Sequence, residues 1–177
     1  MKIYEKTPKI FPKYLTEEEI SAILERAKKD RYRNYILILT MWRTGVRVSE
    51  LVKLEKQDIK DKMIVIRQGK GRKDRIVPLE SELGNLLWGF TDRMTPKTKL
   101  FPISDRQVRN IINKYTTDEI DAHPHTFRHS FAVHCLKKGM NLRSLQKILG
   151  HSSLTTTQVY LDVIGEDIKE DFEKVEW

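Results

Sequence analysis

The spacing of apolar positions changes period twice along this chain. Ile20, Ile23, Leu24 and Ala27 recur at helical spacing behind Thr16 and Glu19, a pair whose side chains can cap a helix start reciprocally. Residues 34–42 are strongly apolar, which predicts a second, buried helix closed by Gly45, where a helix end favours glycine. Ser49 and Glu50 open a short helical turn carrying Leu51 and Leu54. The period then shortens. Residues 63–66 and 75–77 are β-branched runs flanking Gln68-Gly69-Lys70-Gly71-Arg72-Lys73-Asp74, which predicts a hairpin with a glycine-rich basic turn, its second strand ended by Pro78. Helical spacing returns over 79–90, 105–115, 124–138, 142–149 and 155–160, and more weakly after Glu166. Residues 1–15, with Pro8 and Pro12, read as a lead-in or linker. The predicted fold class is α+β, a mostly helical single domain over 16–165 with a small antiparallel β-sheet.

Composition narrows the partners. At 177 residues and 39% hydrophobic, the chain can fill one core. No apolar run reaches the roughly 18 residues that a bilayer crossing needs, so the expectation is a cytoplasmic protein with no membrane partner. Cys135 is the only cysteine, which excludes a disulfide framework and a cysteine-based zinc site. Thirty-three Lys and Arg against 25 Asp and Glu leave a net charge of +8, making nucleic acid the first partner to test. Residues 166–177 hold six acids and two bases, a net of −4, so the preceding 165 residues carry +12. That asymmetry sets the acidic C-terminal tail apart as its own element, either a solvated terminal helix or a docking segment.

The candidate chemistry lies among the cations. Arg47 follows Gly45 at a helix–turn junction, and Lys70 sits between two glycines where backbone can approach a ligand closely. His125 and Arg128 share a face at the start of a helix whose first position suits Pro124, leaving free N–H groups toward any anion. His151 follows Gly150, and Tyr160 lies nine residues on. Guanidinium groups can clamp the oxygens of a phosphoryl-transfer transition state, a Lys or His can protonate the leaving alkoxide, and a tyrosine can hold the phosphate covalently. Each residue alone reads more simply as a surface charge, a helix cap or a packing residue. His125, His129 and His134 lack the pattern of a zinc site, and Glu50, Asp58, Asp74 and Asp105 are too scattered for a two-metal nuclease, so no metal is expected.

Order and spacing change that balance. Thr44-Gly45-Val46-Arg47-Val48-Ser49-Glu50-Leu51, then Gly69-Lys70-Gly71-Arg72-Lys73-Asp74-Arg75-Ile76-Val77-Pro78-Leu79, then His123-Pro124-His125-Thr126-Phe127-Arg128-His129-Ser130-Phe131-Ala132, then Leu149-Gly150-His151-Ser152-Ser153-Leu154-Thr155-Thr156-Thr157-Gln158-Val159-Tyr160 follow in sequence. Together they resemble the motifs of the tyrosine recombinase (phage integrase) family, most closely its Xer-type members, over roughly residues 14 to 162. The resemblance implies that Arg47 and Arg128 bind the non-bridging oxygens of a scissile phosphate. It makes Lys70 the acid for the departing 5′ oxygen and His125 the acid–base partner of the nucleophile. His151 would hydrogen-bond a phosphate oxygen, and Tyr160 would attack to give a 3′-phosphotyrosine. Glu50 would buttress the site. Arg43, Arg72, Lys73, Arg75 and His129 are the expected DNA contacts, while His129, His134, Gly139, Leu149 and Gly150 match positions with a structural look.

The resemblance further implies metal-independent cleavage and rejoining without a cofactor, on double-stranded DNA, with other protomers in a tetrameric synapse. Relatives of this kind usually carry an N-terminal core-binding domain, which this sequence is expected to lack. The tail, with Ile168, Phe172 and Val175 on one helical stripe, is expected to dock on a neighbouring protomer. A non-catalytic DNA-binding module of the same fold and a type IB topoisomerase are the alternatives.

Overall fold

The capping pair at Thr16 and Glu19 forms as the spacing predicts. Thr16 Oγ1 accepts from Glu19 N–H at 3.2 Å and Glu19 accepts from Thr16 N–H at 2.8 Å, starting helix α1, Glu17–Asp30. Arg31 is extended and breaks the chain for one residue before α2, Tyr32–Thr44, which therefore begins two residues earlier than the apolar run alone indicates. The computed structural model describes residues 12–67 and 74–151 together with 157, 159 and 160. Residues 1–11 of the lead-in, the hairpin turn with Lys70, Arg72 and Lys73, residues 155, 156 and 158 of the 155–160 segment and the acidic tail lie outside the described residues.

Helix α2 is the axis of the molecule. Residues 36–42 are buried without a break, because α1, α4 and α6 pack around it. Gly45 ends it with φ +60°, and an added Cβ there would stand 2.4 Å from Phe131 Cδ1 on α6. Glycine is thus required twice, by a left-handed backbone and by the close approach of α6. The four-residue α3, Val48–Leu51, follows at once.

A 3₁₀ turn, Lys56–Asp58, leads into an antiparallel sheet ordered β1, Ile59–Lys60, β2, Met63–Ile66, and β3, Arg75–Pro78. The hairpin register pairs Val65 with Ile76 and Ile66 with Arg75. β1 is only two residues long, too short to show a period of two. Along β3, Arg75 and Val77 point inward and Ile76 outward, so a charged residue occupies a core-facing register. Helix α4, Ser81–Thr91, starts after Glu80, whose carboxylate accepts from the Glu82 and Leu83 N–H groups; this cap displaces the start from residue 79. Helices α5, Asp105–Tyr115, α6, Pro124–Lys137, and α7, Leu142–Leu149, complete the described elements. α7 packs on both α6 and β3, and Gly150 closes it at φ +66°. The ends of α2 and α7, the start of α3 and the inner edge of β3 thereby meet beside the N-terminal half of α6. Among the described residues, no helix is long and apolar enough to cross a membrane.

Candidate active site

Three arginines converge where those elements meet. Arg128, 5% exposed on α6, donates from Nη1 to the Gly45 carbonyl at 2.6 Å and from Nη2 to the Leu149 carbonyl at 2.8 Å. It thus ties the ends of α2 and α7 together. Arg75, 8% exposed, donates from Nε to the Ile148 carbonyl at 2.7 Å and makes a two-pronged pair with Glu50, at 2.6 and 2.8 Å. Glu50 also accepts from Arg47, at 2.7 Å from the backbone N–H and 3.1 Å from Nη1. The Arg47 side chain is the open one, 37% exposed, with Nη2 3.4 Å from the Gly150 carbonyl. A guanidinium holds a fixed planar fork of donors, so each of these contacts fixes a direction as well as a charge.

The electrostatics follow from this crowding. Burial alone would raise Glu50, but the hydrogen bonds and charge of Arg75 and then Arg47 hold its carboxyl below the usual range. Burial, then the neighbouring Arg47, pull Arg128 down to about 10, so it stays charged at neutral pH. His151, half-buried, is lowered to about 4 by burial and then by Arg128, Arg47 and Arg75. Its Nδ1 lies 3.0 Å from Oγ1 of the buried Thr157, which orients the ring. His125 is exposed at the first turn of α6 and lowered by burial and then by His123, Arg128, Arg109 and Arg47. Tyr160 is 3% exposed and its phenol is raised by burial, with Arg128 opposing.

Arg47, His125, Arg128, His129, His151 and Tyr160 line one cleft of about 630 Å³, with Pro12, Lys13, His123 and Val159 completing its walls. Five of the six expected reacting residues therefore share a cavity, and the sixth, Lys70, lies outside the described residues. A cavity bounded by two guanidinium groups, four imidazoles and a phenol is suited to an anion with an electrophilic centre.

Two expected DNA contacts are placed elsewhere. Arg75 lies beneath the site with its guanidinium committed to Glu50 and Ile148, because its register on β3 faces the core. His129, half-buried, has Nδ1 2.7 Å from the Tyr160 hydroxyl, the rings tilted at 53° with centroids 5.6 Å apart. His125, expected to be the partner of Tyr160, is one helical turn away, its ring 6.4 Å from that of His129. Arg43 is exposed in the last turn of α2, free to meet a ligand surface. Sequence signals existed for both relocated residues. An arginine two residues before inward Val77 called for a buried counter-charge, and His129 stands four residues after His125 on the same helix face. Glu50, expected as a buttress, lies between Arg75 and Arg47, and His134 packs edge-on against Trp42, 3.0 Å from Glu17. Among the described residues, no group of three or more His, Cys, Asp or Glu is arranged to hold a metal ion.

Residues 13–166 match the model of the phage integrase family. A tyrosine recombinase XerA of Pyrococcus furiosus is 39% identical over 96% of this chain and 64% of its own length. A tyrosine recombinase of Pseudothermotoga lettingae is 39% identical over 92% of this chain and 61% of its own. The chain thus spans somewhat less than two thirds of the curated relatives it matches. Among solved structures, that of XerA recombinase superposes with a TM-score of 0.79 at 31% identity, covering 99% of this chain and 68% of that one. XerH site-specific recombinase bound to its difH substrate gives 0.67 at 30% identity, covering 90% of this chain and 53% of that one.

Proposed function

Because this chain belongs to the phage integrase family, we propose that it is the catalytic domain of a tyrosine site-specific recombinase, cutting and rejoining double-stranded DNA without a metal or cofactor. The observation that carries this reading is the convergence of Arg47, His125, Arg128, His151 and Tyr160 on one cleft. A module kept only for binding has no need to bring a phenol, two imidazoles and two guanidinium groups to the same cavity.

In this mechanism a backbone phosphate enters between Arg47 and Arg128. Arg128 is already aligned by the Gly45 and Leu149 carbonyls, so little reorganisation accompanies binding. His151 meets a non-bridging oxygen through the ring nitrogen not engaged by Thr157. The Tyr160 oxygen attacks phosphorus, its proton passing to His125, and the bond to the 5′ oxygen breaks. Lys70 protonates that oxygen, leaving a 3′-phosphotyrosine and a free 5′ hydroxyl. Rejoining runs the same steps in reverse with a new 5′ hydroxyl. Arg43, with Arg72 and Lys73 of the hairpin turn, contacts neighbouring phosphates, giving salt-dependent affinity. Further protomers of the same kind supply the other cleavage sites of a synapse, and residues 166–177 dock between them.

The test is a nicked duplex whose cut end cannot religate, incubated in EDTA and low salt and resolved on a denaturing gel. A protein–DNA adduct that disappears in Tyr160→Phe supports the assignment. Retained DNA binding with no adduct on a cognate site overturns it.

A further inference from the structure

The hydrogen bond between His129 and Tyr160 belongs to neither the phosphate clamp nor the proton relay just described. Tyr160 is only 3% exposed, whereas in-line attack needs its hydroxyl within roughly 3 to 3.5 Å of a duplex phosphate. We propose that His129 is a positioning residue for Tyr160, accepting the phenol proton's hydrogen bond in the DNA-free protein and holding the nucleophile against α6 until DNA engages. This inference rests on the assignment of Tyr160 as nucleophile.

Three observations support it. The contact is short, 2.7 Å, between a buried phenol and a half-buried imidazole. A buried phenol O–H is obliged to find an acceptor, and among the described residues Nδ1 of His129 is within reach. The protonation balance also favours holding over activation. His129 is lowered to about 4 by burial and then by His125, Arg128 and His123, while burial raises the Tyr160 phenol. The proton therefore stays on the phenol, which suits a hydrogen-bond acceptor and opposes a base. Opening of the pair would bring Tyr160 toward the arginines, and His125, exposed one turn earlier on the same helix, is then the imidazole on the open side of the cleft.

The first measurement uses the wild-type chain without DNA. Nitrogen-15 NMR at neutral pH should show His129 protonated on Nε2 and unprotonated on Nδ1; a proton on Nδ1 overturns the proposal. The second compares His129→Phe, which keeps a ring but no acceptor, with His129→Asn, whose amide oxygen replaces Nδ1. Nitration of Tyr160 by tetranitromethane, mapped by peptide mass against buried Tyr115, should accelerate in H129F and stay near wild type in H129N. An unchanged rate in H129F overturns the proposal. In single-turnover adduct formation, H129F should be faster by roughly 2- to 10-fold, the factor one ordinary hydrogen bond contributes. A slower H129F with normal thermal melting means that His129 acts in the chemistry and sinks the holding role. If wild type forms no adduct, the recombinase reading fails, while NMR and nitration still decide this one.

Discussion

Glu50→Gln should destabilise the protein severely despite preserving side-chain size. The carboxylate accepts four hydrogen bonds, two from Arg75 at 2.6 and 2.8 Å and two from Arg47 at 2.7 and 3.1 Å. An amide offers one oxygen, so its NH₂ must face either Arg75 Nη1 and Arg47 Nη1 or Arg75 Nη2 and the Arg47 N–H. Arg75 is 8% exposed, so water cannot take the place of the lost charge. Breaking a buried pair by removing one partner typically costs about 3 to 5 kcal/mol, against a total stability of about 5 to 15 kcal/mol for a domain. Urea denaturation followed by circular dichroism at pH 7 measures this directly. Arg75→Met should cost a comparable amount, because it strands the carboxylate. The double variant Glu50→Leu/Arg75→Met should lose at least about 2 kcal/mol less than the sum of Glu50→Leu and Arg75→Met, since neither charge is then orphaned. A loss below about 1 kcal/mol in E50Q, or strict additivity in the cycle, would refute the claim that this pair anchors the site.

Other consequences follow from the same geometry. Arg128→Lys should lower adduct formation by about 100-fold or more with only a modest loss of DNA affinity, because a point charge cannot bridge the Gly45 and Leu149 carbonyls while facing phosphate; equal losses in gel-shift affinity and cleavage would contradict it. Gly45→Ala should cost about 2 kcal/mol or more, from strain at φ +60° and collision with Phe131, read as a fall in Tm; an unchanged Tm would mean that α2 and α6 are less closely packed than described. His129 and His151, both near 4 when folded against an ordinary 6.5 for an exposed imidazole, bind fewer protons folded than unfolded between those values. Stability is therefore full above pH 6.5 and falls as pH drops toward 4, by about 1 to 2 kcal/mol for the pair once partial exposure is discounted. Denaturation midpoints measured from pH 7 to 4 should decline through that window, and a flat profile would contradict the burial of neutral imidazoles.

Where local rules act, the fold was legible before the structure. The Thr16–Glu19 box, the glycines ending α2 and α7, Pro124 at the first position of α6 and the pairing of β2 with β3 as a hairpin all follow from local interactions. Helix α7 has the predicted bounds because an asparagine cap and a left-handed glycine mark its ends. What escaped was which cation faces what. A basic residue on β3 carries no sign of its partner 25 positions earlier, and only the tertiary fold brings Glu50 to Arg75. His129 likewise shares a helix face with His125, yet depth in the cleft separates a half-buried ring beside Tyr160 from an exposed one.

Three guanidinium groups can be gathered here before any DNA arrives because the fold supplies negative charge in two forms. Glu50 contributes one full charge. The carbonyls that receive Arg128, Arg75 and Arg47 belong to Gly45 at the end of α2 and to Ile148, Leu149 and Gly150 at the end of α7. Each helix C-terminus carries about half a negative charge. Three positive charges against one carboxylate and two such ends leave about one positive charge uncompensated. One phosphodiester supplies the matching negative charge. Burial is the main cause of the low values of His129 and His151, and the residual field adds to it, since protonation would bring a fourth positive charge to the site. Binding of a phosphate would cancel that charge, so both imidazoles would become easier to protonate. The same two glycines that end the helices are therefore part of the electrostatics of the site, since a helix continued past residue 45 or 150 would turn these carbonyls inward to its own amides and leave Arg128 without acceptors.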